Sequence, residues 1–195
     1  MSVNWKKSVT TFLIVYFSLC GGMYLAQRSF MYFPDRERPA FSVGVKPQVV
    51  TVETSDGLTL QAWYKPAQDG KPTILHFHGN AGHIGFRYPL VSPYIAAGYG
   101  VLLAEYRGYG GNPGKPSEQG FYSDGRAYLN FLRQQGVDDG HIVLYGESIG
   151  TGTAVQIAYE TSGLKALILE APFFSAVHEA QRLYFFLPVR FLMKD

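Results

Sequence analysis

Cysteine occurs once in the 195 residues, at Cys20, so no intrachain disulfide can form and a fold stapled by bridges is excluded. An excess of one charge is also missing. The 17 Lys and Arg against 15 Asp and Glu leave a net +2, and Lys6-Lys7 is the one adjacent basic pair. Without a basic patch or stripe there is no electrostatic footprint for a nucleic acid, and nucleic acid is not an expected partner. Internal repeats and low-complexity tracts are absent, and 47% apolar residues with 16% charged ones are too apolar for disorder. Two glycine-rich phosphate motifs fail on spacing. A dinucleotide fingerprint at Gly150-x-Gly152 meets Val155 where a small residue is needed, and a P-loop around Gly114-Lys115 meets Tyr109 and Pro116. A zinc motif beginning at His76 and His78, which share one face of a strand, would need Asp and His where the chain has Asn80 and Ala81. No metal and no cofactor are expected.

What the chain does have is a long uncharged run, "SVTTFLIVYFSLCGGMYLAQ", from Ser8 to Gln27, bounded by Lys6-Lys7 and Arg28. At about 1.5 Å per residue, twenty helical residues cover the ~30 Å hydrocarbon core of a bilayer. The boundaries read as a tail at 1–7, a transmembrane anchor at 8–27, a connector at 28–47 with three prolines, and one domain at 48–195. A cleaved signal peptide is the rival, but no A-x-A-like site follows. A buried core helix is the third reading, and Gly21-Gly22 would weaken it in water. The lysines favour a single pass with a cytoplasmic N-terminus, against Arg28, Arg36 and Arg38 on the other side. Cys20 is expected to pack.

Beyond the connector, "QVVTVET" and "LTLQAWYK" flank Ser55-Asp56-Gly57 and read as a hairpin of strands at about 48–54 and 58–65. Apolar strands follow at "TILHFH", "YGVLLAEY", "HIVLYG" and "LKALILEAP". Between them lie helices from Tyr88, from Ser117-Glu118 with Phe121, Tyr128, Leu129 and Leu132 on one side, and from Ser148. This alternation calls for an α/β fold, a mostly parallel sheet with helices on both faces.

The chemistry concentrates in Gly146-Glu147-Ser148-Ile149-Gly150, placed after a strand and before a helix. A serine hydroxyl needs exposure and a base to act as a nucleophile. A sharp strand-to-helix turn exposes it in unfavourable dihedrals, and residues two before and two after come too close for side chains, which Gly146 and Gly150 satisfy. The Ile149 N–H, at the following helix N-terminus, can donate to an oxyanion. Gly152 and Ala154 are expected to keep the first turn slim against the sheet. The competing reading is a glycine-rich turn with a capping serine. In "HFHGNAGH" the amides of Gly79 and Asn80 can supply a second donor, with His76 and His78 orienting the loop.

"FHGNAG", "EYRGYGGNPGKPSEQG", "YGESIGTGTAV" and "ILEAPF", with "QRSFMYFPDRERP" after the apolar run, resemble the α/β-hydrolase superfamily in its membrane-anchored Bem46-like, ABHD13-type branch. The resemblance implies the α/β-hydrolase fold, Ser148 as nucleophile, the amides of Asn80 and Ile149 as oxyanion hole, and a rim role for Tyr106–Gly110. It also implies that the triad acid and base follow the nucleophile near the ends of two later strands. Those strands lie past Asp195, so the domain is expected to lack its last two strand–helix units and the chain to have little triad-dependent activity. Within the chain, Glu170 as acid and His178 as base are weak stand-ins, a structural hydrogen bond and an exposed helix residue being their alternatives. The implied activity is serine hydrolysis of ester, thioester or amide bonds, with a small-molecule or lipid-like acyl substrate at a membrane. The competing function is a non-catalytic membrane-anchored binding module or a truncated pseudoenzyme.

Overall fold

The computed structural model describes residues 5–41 and 46–194. Residues 1–4 of the expected tail, 42–45 of the expected connector and Asp195 lie outside the described residues. In chain order the elements are α1 (Trp5–Met31), β1 (Phe33–Pro34), β2 (Gln48–Glu53), β3 (Thr59–Lys65), β4 (Thr73–Phe77), β5 (Ala81–Gly82), a 3-10 turn at Ile84–Arg87 and α2 (Tyr88–Ala96). They continue with β6 (Gly100–Ala104), α3 (Glu118–Gln134), β7 (Ile142–Glu147), α4 (Gly150–Glu160), β8 (Ala166–Glu170), α5 (Ala176–Leu183) and α6 (Val189–Leu192). The chain divides into two compact units, one of Tyr32–Phe173 and one of Met1–Met31 with Phe174–Asp195.

The larger unit is built on a six-stranded sheet of order β2-β3-β6-β4-β7-β8. β2 and β3 form the expected hairpin, with Glu53 opposite Thr59, and β3 runs antiparallel to β6. From β6 onward all pairs are parallel, as strands joined by helical crossovers must be. Period-2 alternation divides the central side chains between two faces. On one, Ile74, Val101, Leu103 and Val143 pack with Val91 and Ile95 of α2 and with Trp63. The alternate residues Leu75, Leu102 and Leu144 are fully buried on the side of α3 and α4. α3 starts where its sequence says: the Ser117 hydroxyl accepts from the Gly120 N–H at 3.2 Å, and Phe121, Tyr128, Leu129 and Leu132 are all buried.

Part of the expected connector is integrated into this unit. β1 pairs in parallel with β5, the Asp35 carbonyl accepts from the Gly110 N–H at 2.7 Å, and the Phe41 ring lies tilted against Trp63 at 3.8 Å between ring centroids.

In the smaller unit α1 is a continuous helix of 27 residues that extends past both ends of the uncharged run, because Lys6, Lys7 and Arg28 are good helix formers. Cys20 is a packing residue there, buried at 7% exposure against Leu187 and Val189 of the C-terminal segment.

Candidate active site

Ser148 follows β7 directly and α4 begins two residues later. Its φ is +51°, in the left-handed region that costs a residue with a side chain about 1–3 kcal/mol. Among the described residues Ala171, at φ +48°, is the other non-glycine in that region. The two are linked, because the Ser148 N–H donates to the carbonyl of Glu170 at 2.9 Å. The turn is therefore held from β8 as well as from its own strand.

Close approach accounts for both motif glycines. A Cβ on Gly150 would stand 2.2 Å from the Phe77 carbonyl oxygen and 2.8 Å from that of His78. One on Gly146 would stand 2.7 Å from the Gly150 carbonyl oxygen and from the Thr151 Cα. These obstacles are backbone atoms that cannot swing aside. The start of α4 thus presses on the end of β4, bringing Ser148 and Ile149 to the loop that carries His78, Gly79 and Asn80. Gly152 does not fit the sequence expectation. A Cβ there would meet nothing within 4 Å, so the slimness of the first turn is set by Gly150 and by fully buried Ala154.

The loop is clamped to the turn by Glu147, the residue before the serine. Its carboxylate takes two hydrogen bonds of 2.9 Å from Arg87, and a Cβ on Gly79 would stand 2.7 Å from its Oε1. Burial alone would raise this carboxyl; the Arg87 hydrogen bonds and charge, with one from the Gly79 N–H, outweigh it and hold it below its ordinary range. The amides expected to face an oxyanion are those of Asn80 and Ile149. Among the described residues the Ile149 N–H has no hydrogen-bond acceptor. The Asn80 side chain is engaged elsewhere: its Oδ1 accepts from the Phe33 N–H at 3.2 Å and the Tyr109 hydroxyl at 3.0 Å.

His78 is fully buried, with Nδ1 2.7 Å from the Gly79 carbonyl oxygen and Nε2 2.9 Å from Glu105 Oε1. A carbonyl only accepts, so Nδ1 carries hydrogen, and a proton lies between Nε2 and the carboxylate. Glu105 Oε2 accepts in turn from the Ile84 N–H at 2.9 Å. His76 is just as buried but neither of its ring nitrogens has a partner among the described residues, and its ring stacks on Tyr145. Burial chiefly, with the neighbouring His78, depresses its pKa to about 4. The strand ends at Phe77, so the two rings do not share neighbours as an i, i+2 pair in one strand would. Both nitrogens of His78 are already committed, and no metal-binding cluster occurs among the described residues.

The segment Tyr106–Gly110 lies under this loop instead of on a rim. Tyr106 and Tyr109 are fully buried, and the Tyr106 hydroxyl donates to the His78 carbonyl at 3.0 Å. Arg107 is tied by its guanidinium to Asp56 and Asp124. The supporting roles of Glu105, Arg87 and Glu147 were not evident from the sequence, though Glu105 opens the "EYRGYG" run already singled out.

Glu170 meets the turn through its backbone carbonyl, while its exposed carboxylate accepts a hydrogen bond from the Tyr145 hydroxyl. His178 belongs to α5, where its N–H donates to the Ser175 hydroxyl at 3.0 Å and its ring meets Phe174 edge-on. No described side chain hydrogen-bonds the Ser148 hydroxyl.

Comparison with known proteins agrees with this arrangement. The family model described as serine aminopeptidase, S33, matches residues 68–193. An uncharacterised protein of Mycobacterium tuberculosis is 41% identical over 174 residues, covering 87% of this chain and 62% of its own length. Protein bem46 of Schizosaccharomyces pombe is 32% identical over 183 residues, covering 87% and 61%. The chain thus spans less than two thirds of the length of these relatives. Among solved structures, the Pyrococcus furiosus esterase Pf2001 superposes with a TM-score of 0.58 at 20% identity, covering 81% of this chain and 70% of that one, a likeness of fold. An elbow serine between two glycines at the end of a parallel strand, in a chain matched over most of its length by that family model, places this protein in the serine aminopeptidase S33 family of α/β-hydrolases, in its Bem46-like branch.

Proposed function

We propose that this hydrolase uses Ser148 as the nucleophile against ester, thioester or amide bonds, esters first, in acyl or lipid-like substrates presented at a membrane. The observation that carries the reading is the strained Ser148 backbone, wedged between two glycines that the packing requires. A serine serving only as a helix cap has no need of positive φ, since cap residues adopt the extended region. In the proposed chemistry the Ser148 oxygen attacks the acyl carbonyl, its proton passing to a general base. The oxyanion takes hydrogen bonds from the amides of Ile149 and Asn80, and the leaving alcohol, thiol or amine departs protonated. Neither Glu170, engaged by Tyr145, nor His178 is supported as a triad member by a contact with the serine hydroxyl. No described side chain is positioned as that base, which stays unassigned.

Residues 8–27 are proposed as a single-pass anchor with a cytoplasmic N-terminus, supported by a 27-residue helix apolar and long enough to cross a membrane and almost wholly unburied. The lipid-like substrate class rests on that anchor. Carbonate extraction of the tagged chain should leave it in the membrane pellet.

The decisive experiment is labelling with a fluorophosphonate probe, on this chain and on a form extended to the length of the curated relatives. The extended form should label at Ser148, Ser148→Ala should not, and the 195-residue chain should turn over a short nitrophenyl ester slower by ~10⁴-fold or more. Equal labelling of the alanine variant would end the nucleophile assignment. An extended form that neither labels nor hydrolyses would favour a membrane-anchored binding module.

A further inference from the structure

Aromatic side chains in the C-terminal segment stand in the open although the segment itself is firmly held. Phe185 is 80% exposed, Phe191 86%, Leu183 73% and Phe186 51%. Their backbone is fixed along α1. The Tyr16 hydroxyl donates to the Phe186 carbonyl at 3.3 Å, Leu187 and Val189 bury Cys20, and Gln27 donates to the Leu192 carbonyl at 3.1 Å while accepting from the Lys194 N–H at 2.8 Å. From Tyr16 to Gln27 is about 16 Å along a helix, about half a bilayer's hydrocarbon core. The segment therefore tracks the second half of the uncharged run, from its middle to its end.

Charge is distributed to match. No charged residue occurs from Leu183 to Val189. Lys194 lies at the far end, where its ammonium sits 4.1 Å over the Tyr24 ring and its N–H meets Gln27, next to Arg28 in sequence. α5 turns Val177 and Ala180 toward α1, while His178, Glu179 and Arg182 lie on its other sides.

We propose that residues 183–193 form a second membrane element: Phe185 and Phe186 insert among the lipid acyl chains beside α1, and Phe191 lies nearer the headgroups. This rests on the reading of α1 as an anchor. Lipid is the occupant because the exposed aromatics belong to a segment held along α1, a helix that itself exposes Phe12, Leu13 and Leu19, and contacts with α1 fix that segment's depth. A side chain reaching mid-bilayer beside a spanning helix meets acyl chains, which solvate it as well as any protein core would.

The test uses the full chain in phosphatidylcholine–phosphatidylglycerol vesicles, with single reporter cysteines introduced as Phe185→Cys, Phe191→Cys, Leu13→Cys and Lys115→Cys and labelled with a fluorophore. All four positions are exposed, so the substitutions remove no buried side chain, and Cys20 stays as the buried residue it is. Lipids spin-labelled deep in the tail should quench the probe at 185 and at 13 several-fold more than at 115. Headgroup-labelled lipids should quench 191 more than 185, and aqueous iodide should quench 115 best. Iodide quenching at 185 equal to that at 115, with 13 still lipid-quenched, overturns the inference and leaves the anchor standing. Water access at 13 as well overturns the anchor and the inference together. A probe at 185 shielded from both lipid and iodide means a protein surface, such as a second copy, covers the tip, and overturns the lipid assignment.

Discussion

β6 and β8 have nearly interchangeable sequences, Gly-Val-Leu-Leu-Ala and Ala-Leu-Ile-Leu-Glu, yet opposite environments. Every residue of β6 is buried between β3 and β4, whereas every residue of β8 is exposed, with Leu167, Ile168 and Leu169 at about 40%. β8 is the last strand in the sheet order, so one side of it has no strand to pair with among the described residues. A run of branched apolar residues makes a strand in either place. Position in the sheet decides whether its side chains contribute a core or a surface. β8 contributes in another way, by offering the Glu170 carbonyl to the Ser148 N–H, so an edge strand with little burial helps hold the strained turn.

The contrast is tested most severely by paired truncations. Leu102→Ala should cost about 3–5 kcal/mol, since Leu102 is fully buried in the middle of the sheet, and Ile168→Ala about 1 kcal/mol or less. Urea unfolding of the 195-residue chain measures both, and equal losses would mean that β8 is covered in solution. Within the turn the same logic separates two glycines of one motif. Gly150→Ala puts a Cβ against the Phe77 carbonyl and should cost about 3 kcal/mol. Gly152→Ala meets nothing and should stabilise by roughly 0.5–1 kcal/mol through helix propensity.

A further effect is set by pH. His76 is buried without hydrogen-bond partners and has its pKa depressed to about 4, against about 6.5 when unfolded. Below 6.5 the unfolded chain binds a proton that the folded chain refuses, so this contribution is complete above that pH and is lost as pH falls toward 4. Between pH 7 and pH 5 the loss is roughly 2 kcal/mol. His76→Leu should flatten the unfolding profile by that amount over that interval, and an unchanged profile would show that the ring is hydrated or paired in solution.

Much of the fold was legible in the chain. Periodicity located β2, β3, β4, β6, β7, β8 and the three helices of the larger unit to within about two residues, but not the two-residue strands β1 and β5. Gly146, Ser148 and Gly150 stood out because their spacing matches a need of strand-to-helix turns. The supports were not legible. Arg87 and Glu147 lie 60 positions apart and His78 and Glu105 27 apart, and nothing local in either member announces the other. Gly152 was misread for the complementary reason, since a glycine beside crowded glycines looks crowded until its surroundings are known.

The sequence by itself determined the elements, the one uncharged run long enough to cross a bilayer, and a serine between two glycines at a strand end, because these depend on propensity, periodicity and spacing along the chain. Only the tertiary structure decided which apolar strand is core and which is edge, that Tyr106 and Tyr109 support the site from beneath, that His78 shares a proton with Glu105, and that the segment after α5 is held along α1. Burial, partnering and depth belong to pairs of residues distant in the chain, and those pairs exist only once the sheet and the helices have packed.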